Sequence, residues 1–193
     1  MNCSATNDKA EMEGSFMIDA LPNVLCQGEK LCIRRFFPED APAIFAYSQE
    51  ESIRRELPDE VLGSLEETRE CLRQFNENAD RLVYPLVLCA ALRKSGEAVG
   101  HVSLSLLEAG KVEIGYAIGE AHQGKGYGGE AVRVFSQWAL AQGNWPRLYG
   151  VVKEENAPSI RCLEAAGYQL LSREKRDCFG GRHIVREYMR KAR

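Results

Sequence analysis

The stretch from Val112 to Trp138, VEIGYAIGEAHQGKGYGGEAVRVFSQW, joins two different hydrophobic periodicities through a glycine-rich loop. Its first part alternates apolar and other side chains at period two, the spacing of a half-buried strand, with the apolar set Val112, Ile114, Tyr116 and Ile118. Its last part repeats apolar residues at the spacing of one helix face: Ala131, Val134, Phe135 and Trp138. The stretch therefore predicts a strand, a loop and a helix in succession.

The loop between strand and helix is rich in residues without a side chain: Gly124, Gly126, Gly128 and Gly129. Glycine frees the backbone to turn successive N–H groups toward one point, and a helix N-terminus adds the positive end of its dipole. The pattern predicts an anion-binding loop. A glycine-rich turn that holds no ligand is the alternative interpretation.

Two nucleotide-binding motifs fit this loop poorly. Residues 119–125 match GxxxxGK, but Gly126 stands where a Ser or Thr hydroxyl is needed to hold Mg²⁺. The same glycines also spell GxGxxG from Gly124 to Gly129, yet a dinucleotide-binding turn follows its strand directly, and here further residues intervene after Ile118. Neither an NTPase nor a dinucleotide-binding protein is therefore favoured.

The hexamer QGKGYG at residues 123–128 resembles the Q/R-x-x-G-x-G/A signature of the GNAT N-acetyltransferase superfamily. Its setting, IGYAIGEAHQGKGYGGEAV followed by ENAPSIRCLEAAGY, is similar to the branch that contains the RimJ/RimL-like ribosomal-protein N-acetyltransferases. The resemblance implies an α+β fold with α/β/α layers. Its expected sheet is mixed, mainly antiparallel and seven-stranded, with helices on both faces.

Two hairpins are predicted on either side of the central stretch. Residues 84–92 and 99–107 are apolar, strand-like runs joined by a turn, which begins an antiparallel meander. Residues 168–172 and 183–189 are predicted as the final two strands, with a turn at Gly180-Gly181. At 193 residues the chain is expected to form one domain, residues 30–193, after a flexible N-terminal lead, residues 1–29.

Composition excludes several function classes. A net charge of -3 offers no basic footprint for nucleic acid. The 7 cysteines form no CxxC pair and the 3 histidines are isolated, so neither a disulfide framework nor a metal site is expected. No segment has the length and apolarity of a membrane span. We expect a cytoplasmic protein with reduced thiols.

The resemblance implies that acetyl-CoA is the acyl donor and that no metal takes part. In that family the central strand and the next strand splay apart to admit the pantetheine arm, and the loop holds the pyrophosphate. The implied cofactor-binding residues are Ala117, Ile118, Gly119, Gln123, Gly124, Lys125, Gly126, Tyr127, Gly128, Asn156 and Ser159. Lys125 is either a phosphate contact or a solvated loop lysine, and Asn156 is either a cofactor contact or a helix N-cap.

The implied reaction is direct attack of a neutral amine on the thioester. Many members of the family it resembles protonate the thiolate with a tyrosine where this chain has Leu163. In the similar ribosomal-protein branch the proposed donor is a serine three residues after the Asn, a place that Ser159 matches, with a bond to a backbone N–H as the alternative. Glu113 is the candidate general base, with an exposed strand glutamate or a water chain as alternatives. Tyr116 and Tyr188 are candidates for the acceptor pocket, with a place in the hydrophobic core as the alternative.

The resemblance favours a protein N-terminal amine as acceptor. A small amine, an amino acid or an antibiotic is the second possibility within the enzyme class. A non-catalytic acyl-CoA sensor is the alternative from another class, since the usual tyrosine is missing. A homodimer is expected through an exposed sheet edge or helix face.

Overall fold

The computed structural model describes residues 21–107 and 110–192, so residues 1–20 of the predicted lead lie outside the described part. The strands are β1 (Val24–Gln27), β2 (Leu31–Arg34), β3 (Leu86–Leu92), β4 (Ala98–Leu106), β5 (Val112–Ile118), β6 (Arg147–Lys153), β7 (Gln169–Cys178) and β8 (Gly181–Lys191). The helices are α1 (Ala41–Ser48), α2 (Glu51–Glu56), α3 (Leu65–Arg81), α4 (Tyr127–Ala141) and α5 (Ala157–Ala165).

The strands form one sheet in the order β1-β2-β3-β4-β5-β6-β8-β7. Every neighbouring pair is antiparallel except β5 and β6, which are parallel. The expected mixed, mainly antiparallel sheet is confirmed, with 8 strands among the described residues instead of seven.

The additional strand is β1, which the sequence analysis assigned to the N-terminal lead. Its residues pair with β2, from Val24 opposite Arg34 to Gln27 opposite Cys32, across a bulge. The strand is short, and its first and last residues are exposed. It therefore lacks the alternation of buried apolar and exposed polar residues that identifies longer strands in a sequence. The sheet therefore begins at Val24, before the expected domain boundary at residue 30.

Two hydrophobic clusters cover the two faces of the sheet. One packs α4 and α5 onto the sheet and includes Val112, Ile114, Ile118, Val132, Phe135 and Leu163. The other packs α1 and α3 onto the opposite face and includes Ile44, Tyr47, Leu72, Phe75, Cys89 and Ala117. Because β5 contributes alternate residues to both clusters, it is buried between helices on both sides, as the α/β/α expectation required.

The final hairpin is longer than predicted. It turns at Gly180, whose φ is 73°, where the sequence analysis placed the turn. Pairing extends to Cys178 opposite Gly181, through a polar stretch that carries no apolar alternation. Many of the β7 side chains are exposed, so the backbone ladder and not side-chain burial defines this segment.

The described cysteines agree only in part with the expectation of reduced thiols. Free thiols are found at Cys26, Cys32, Cys89, Cys162 and Cys178. Cys71 is disulfide-bonded, which contradicts the expectation for that residue. Within the described ranges, no helix combines the length and the apolarity needed to cross a membrane.

Candidate active site

The parallel strands β5 and β6 separate after a single residue pair. Glu113 of β5 lies opposite Tyr149 of β6, and this is the pairing recorded between the two strands. Beyond it, β6 continues its ladder with β8 as far as Lys153, while β5 continues its ladder with β4. We call this opening the fork, formed by residues 114–118 of β5 and 150–153 of β6. A cavity of about 1080 Å³ occupies the fork and extends beyond it.

The backbone register of β5 decides which groups face the fork. Gly119 donates its N–H to Val99 O on β4 at 3.0 Å, and strand residues alternate between their two neighbours. The backbone groups of Ala117 and Gly119 therefore face β4, whereas those of Tyr116 and Ile118 face the fork. Of the three residues predicted to contact pantetheine, only Ile118 therefore turns its backbone groups toward the fork. The Ile118 carbonyl already accepts a hydrogen bond from Gln123 Nε2 at 2.8 Å.

The glycine loop connects the open end of the fork to α4. Gly124 and Gly126 have φ angles of 74° and 83°, a left-handed conformation that favours glycine. Gly126 is the N-cap residue of α4, so the first free N–H groups of this helix lie at the loop. Further along, a Cβ atom on Gly128 would come within 3.1 Å of the Tyr116 ring, and glycine there permits close packing of α4 on β5.

A lysine from the other end of the chain lies at this loop. Lys30, at the turn between β1 and β2, donates from Nζ to Lys125 O at 3.0 Å. The turn between β1 and β2 is held to α4 by Glu130, which lies in the first turn of that helix. Its carboxylate accepts from the backbone N–H groups of Lys30 and Leu31 at 2.8 and 3.0 Å. Lys125 donates from Nζ to Ala121 O at 2.7 Å, within its own loop. Two ammonium groups thus flank the loop, and only Lys125 was identified from the sequence.

Ser159 and Asn156 begin α5 at the cavity wall. The Asn156 side-chain oxygen accepts from the Ser159 N–H at 3.1 Å, so Asn156 is the N-cap. Ser159 Oγ accepts instead from the Tyr116 hydroxyl at 3.1 Å. Asn156 also donates from Nδ2 to Glu56 Oε2 at 3.3 Å, which joins α2 to this corner. Both residues line the cavity.

The two tyrosines expected at the acceptor pocket are placed differently. Tyr116 lines the cavity on the side of Ser159 and Cys162, where burial raises the pKa of its hydroxyl far above the ordinary range. Tyr188 is almost fully buried and donates to Glu164 Oε1 at 2.9 Å; it does not line the described cavity, and the expectation for it is wrong.

Glu113 lies where the fork begins. Its Oε1 atom accepts from the Val151 N–H of β6 at 3.1 Å, in place of a ladder bond between the two strands. Burial raises the pKa of this carboxyl from 4.5 to about 7, against the lowering effects of the Val151 hydrogen bond and of Arg176. The alternative of an ordinary exposed strand glutamate is therefore wrong.

A second carboxylate lies elsewhere on the cavity wall, and nothing in the sequence pattern indicated it. Glu60, at the end of the 3-10 turn Pro58–Glu60, places Oε2 at 3.3 Å from His101 Nε2. His101 Nδ1 lies 2.6 Å from the Tyr47 hydroxyl, and both rings are buried. Burial acts to raise the pKa of Glu60, but nearby positive charge, that of His101 foremost, lowers this pKa below its ordinary value.

Most of the residues assigned from the sequence meet at this cavity. The cavity is lined by Ala117, Ile118, Gln123, Gly124, Gly126, Tyr127, Gly128, Asn156, Ser159 and Glu113. Gly119 and Lys125 do not line it. Across residues 21–107 and 110–192, no cluster of three or more His, Cys, Asp or Glu side chains is arranged to hold a metal ion.

Comparisons with known proteins agree with this geometry. The "Acetyltransferase (GNAT) domain" family matches residues 30–169. The curated protein "Uncharacterized N-acetyltransferase p20" of Bacillus licheniformis is 25% identical over 148 residues, which cover 73% of this chain and 80% of that protein.

Two solved structures show the same fold at low identity. A RimL ribosomal L7/L12 alpha-N-protein acetyltransferase in complex with coenzyme A has a TM-score of 0.72 at 20% identity, covering 87% of this chain and 97% of its own. The microcin C7 self immunity acetyltransferase MccE, in complex with acetyl-CoA and AMP, has a TM-score of 0.73 at 16% identity, covering 85% and 93%. With the family match spanning most of its length, the chain belongs to the GNAT acetyltransferase family.

Proposed function

We propose that this protein transfers the acetyl group of acetyl-CoA to a primary amine by direct attack within a ternary complex. The observation that carries the proposal is the fork, which opens next to the glycine loop at the N-terminus of α4. A strand edge with unpaired amides suits the amide groups of a pantetheine arm, and a helix N-terminus suits a pyrophosphate. The two features adjoin one cavity, as the two ends of such a donor require.

Binding of the donor is assigned to the loop and to the fork. The N–H groups of residues 123–128 and the ammonium groups of Lys30 and Lys125 would hold the phosphates. The backbone N–H of Ile118 and the backbone groups of Tyr116 would bond the pantetheine amides, since they face the fork. Gly126 fits this role because its left-handed φ of 83° lets the backbone approach without a side chain.

Ser159 is proposed as the group that protonates the departing thiolate. The Tyr116 hydroxyl donates to Ser159 Oγ, so the hydrogen of Ser159 is not used in that contact and is available to the cavity. As the bond between the carbonyl carbon and sulfur breaks, the sulfur keeps the electron pair and takes this proton. Tyr116 remains a neutral donor because its pKa is raised, and it acts as a positioning residue.

Glu113 is proposed as the group that removes the proton from the attacking ammonium, directly or through a water molecule. Its pKa of about 7 matches the requirement for a base that is partly ionised at neutral pH. The amine lone pair then forms the new bond to the carbonyl carbon. As the carbon–sulfur bond breaks, the nitrogen loses a second proton, which restores the hydrogen of Ser159 directly or through water. No acyl-enzyme is part of this sequence of steps, and Cys162 has no nucleophilic role in it.

The acceptor is proposed to be a protein N-terminal amine, supported by the structural similarity to RimL. A small amine or antibiotic-type acceptor is the second candidate, supported by the similarity to the microcin acetyltransferase. The cytoplasm is the proposed compartment, since most of the described cysteines carry free thiols.

The experiment is thiol release from acetyl-CoA with two acceptor panels, short peptides with free N-termini and small primary amines. Release with either panel supports the transferase and identifies the acceptor class. Tight binding of acetyl-CoA without release in any arm would instead support the non-catalytic sensor.

A further inference from the structure

Tyr47, His101 and Glu60 form a polar network that the acetyl-transfer steps do not use, and the first two are buried. Tyr47 comes from α1, His101 from β4 and Glu60 from the turn after α2, so three separate elements build it. His101 bridges the other two, with 2.6 Å to the Tyr47 hydroxyl and 3.3 Å to the Glu60 carboxylate. The Glu60 carboxylate is the member of this network that lines the cavity, and the His101 imidazole positions it.

The Glu60 carboxylate is incompletely satisfied by the described residues. Its Oε2 atom is buried, lies 3.3 Å from His101 Nε2 and has no hydrogen-bond partner of good geometry among them. Two other carboxylates of the chain are paired with a lysine or an arginine. Glu56 is paired with Arg55 at 2.8 Å, and Glu187 with Lys111 at 2.7 Å. Among the described residues no lysine or arginine forms an ion pair with Glu60, so this carboxylate on the cavity wall suits a cationic partner from outside.

Glu60 and Glu113 lie along one face of the sheet. In the β4–β5 ladder His101 pairs with Ala117 and Ser105 pairs with Glu113, so these side chains share the face covered by α1 and α3. From Glu113 to Ala117 the strand advances about 13 Å, at a rise of about 3.3 Å per residue. The cavity thus has the Glu113 carboxylate at the start of the fork and the Glu60 carboxylate near Ala117, at the open end of the fork.

The environments of the two carboxylates give them different chemistry. Burial raises the pKa of Glu113 to about 7, so it can take up a proton at neutral pH. Burial acts to raise the pKa of Glu60 and His101 acts to lower it, and the net lowering favours the ionised carboxylate. A carboxylate that stays ionised is a poor proton acceptor and a good partner for a cation that also stays charged.

We propose that Glu60, held by His101 and Tyr47, is an anchor for a second positive charge on the acceptor, so that the preferred acceptor is an amine bearing another cationic group. The inference rests on the proposed function, because it describes the acceptor of that reaction. The second charge belongs either to a free diamine or to a basic side chain close to a peptide N-terminus. Glu60 is a binding residue in this account, and His101 and Tyr47 are positioning residues.

The test is calorimetric binding to the full chain in the presence of CoA, which lacks the acetyl group and so permits no turnover. Diaminohexane is compared with hexylamine, and Ala-Lys-Ala amide with Ala-Gln-Ala amide. The wild type should bind the doubly charged member of one pair about tenfold more tightly. The pair that shows this difference identifies the source of the second charge. Equal affinities within both pairs would overturn the proposal, with no variant needed.

Glu60→Gln should reduce that affinity ratio to about one, because the amide keeps the size and removes the charge. Glu66→Gln, at an exposed position at the start of α3, is the matched control and should keep the wild-type ratio. Tyr47→Phe should lower the ratio in part by loosening His101. A purely structural role for Tyr47 would lower the unfolding temperature and leave the ratio unchanged. An unchanged ratio in Glu60→Gln would also overturn the anchor.

The outcome separates this proposal from the proposed function. A Glu60-dependent preference for dications without thiol release from acetyl-CoA would uphold the anchor and overturn the transferase. Thiol release with equal affinity for singly and doubly charged amines would uphold the transferase and overturn the anchor.

Discussion

The Tyr116 hydroxyl donates a hydrogen bond to Ser159 Oγ at 3.1 Å and so joins β5 to the first turn of α5. Both residues line the cavity, as does Leu163 one turn further along α5. A tyrosine hydroxyl from a strand is therefore present at this wall of the cavity, in contact with the serine proposed as the proton donor.

Tyr116→Phe should lower kcat about fivefold and leave the KM for acetyl-CoA nearly unchanged, because it removes one orienting hydrogen bond. Ser159→Ala should lower kcat by about a hundredfold, the scale of a lost general acid. In the double variant the tyrosine change should add almost nothing, since both act through one hydroxyl. Steady-state kinetics of the single and double variants measure this. Fully additive losses would show that the two residues act independently.

The rate should depend on the ionisation of Glu113. Because the base works only when deprotonated and its pKa is about 7, kcat/KM should rise with pH and level off above that value. Glu113→Gln should lose both the activity and this inflection. A pH–rate profile of the two proteins is the measurement. An unchanged inflection in Glu113→Gln would assign it to another group.

Glu113 should also make the free energy of unfolding depend on pH. The direction is opposite to that for a carboxylate whose pKa is lowered by folding. Between pH 4.5 and about 7 the native state holds the proton and the unfolded state releases it, so the free energy of unfolding falls as the pH rises. The loss is at most about 3 kcal/mol over this window. Urea unfolding of wild type and Glu113→Gln at several pH values should show a steeper decline for wild type; parallel curves would contradict the raised pKa.

Lys30→Met should weaken acetyl-CoA binding about fivefold, an effect that shrinks at high salt, because an ammonium next to the loop is lost. Lys94→Met, at an exposed turn position, serves as the matched control. Calorimetric titration at two salt concentrations measures the difference. Equal affinity of the two variants would remove Lys30 from the donor site.

Some of this fold follows from local patterns and some from contacts that no pattern reveals. The alternation of β5 and the helix periodicity of α4 are visible because each element buries one or both faces. The polar part of β7 is exposed, so its extension to Cys178 depends on backbone pairing alone. The edge strand β1 escaped prediction for a similar reason, since its outer residues contact solvent.

The residues of the site also fall into those that a local sequence pattern predicted and those that only the fold brings together. The loop glycines and Ser159 lie in two recognisable stretches, QGKGYG and ENAPSIRCLEAAGY, so the sequence alone predicted them as site residues, and they line the cavity. Lys30 reaches the loop from a distant part of the chain, and the row of Tyr47, His101 and Glu60 joins three separate elements. Contacts between residues so far apart depend on the packing of whole elements and leave no local periodicity.

The central claim, that the fork and the glycine loop bind acetyl-CoA, is tested most directly by thermal unfolding with and without acetyl-CoA. Gly126→Asp, which places a side chain and a negative charge at the N-cap of α4, is compared with Gly96→Asp, whose glycine also has positive φ but lies in the β3–β4 turn. Acetyl-CoA should raise the midpoint of wild type and Gly96→Asp and leave that of Gly126→Asp unchanged. An equal rise in all three proteins would contradict the site.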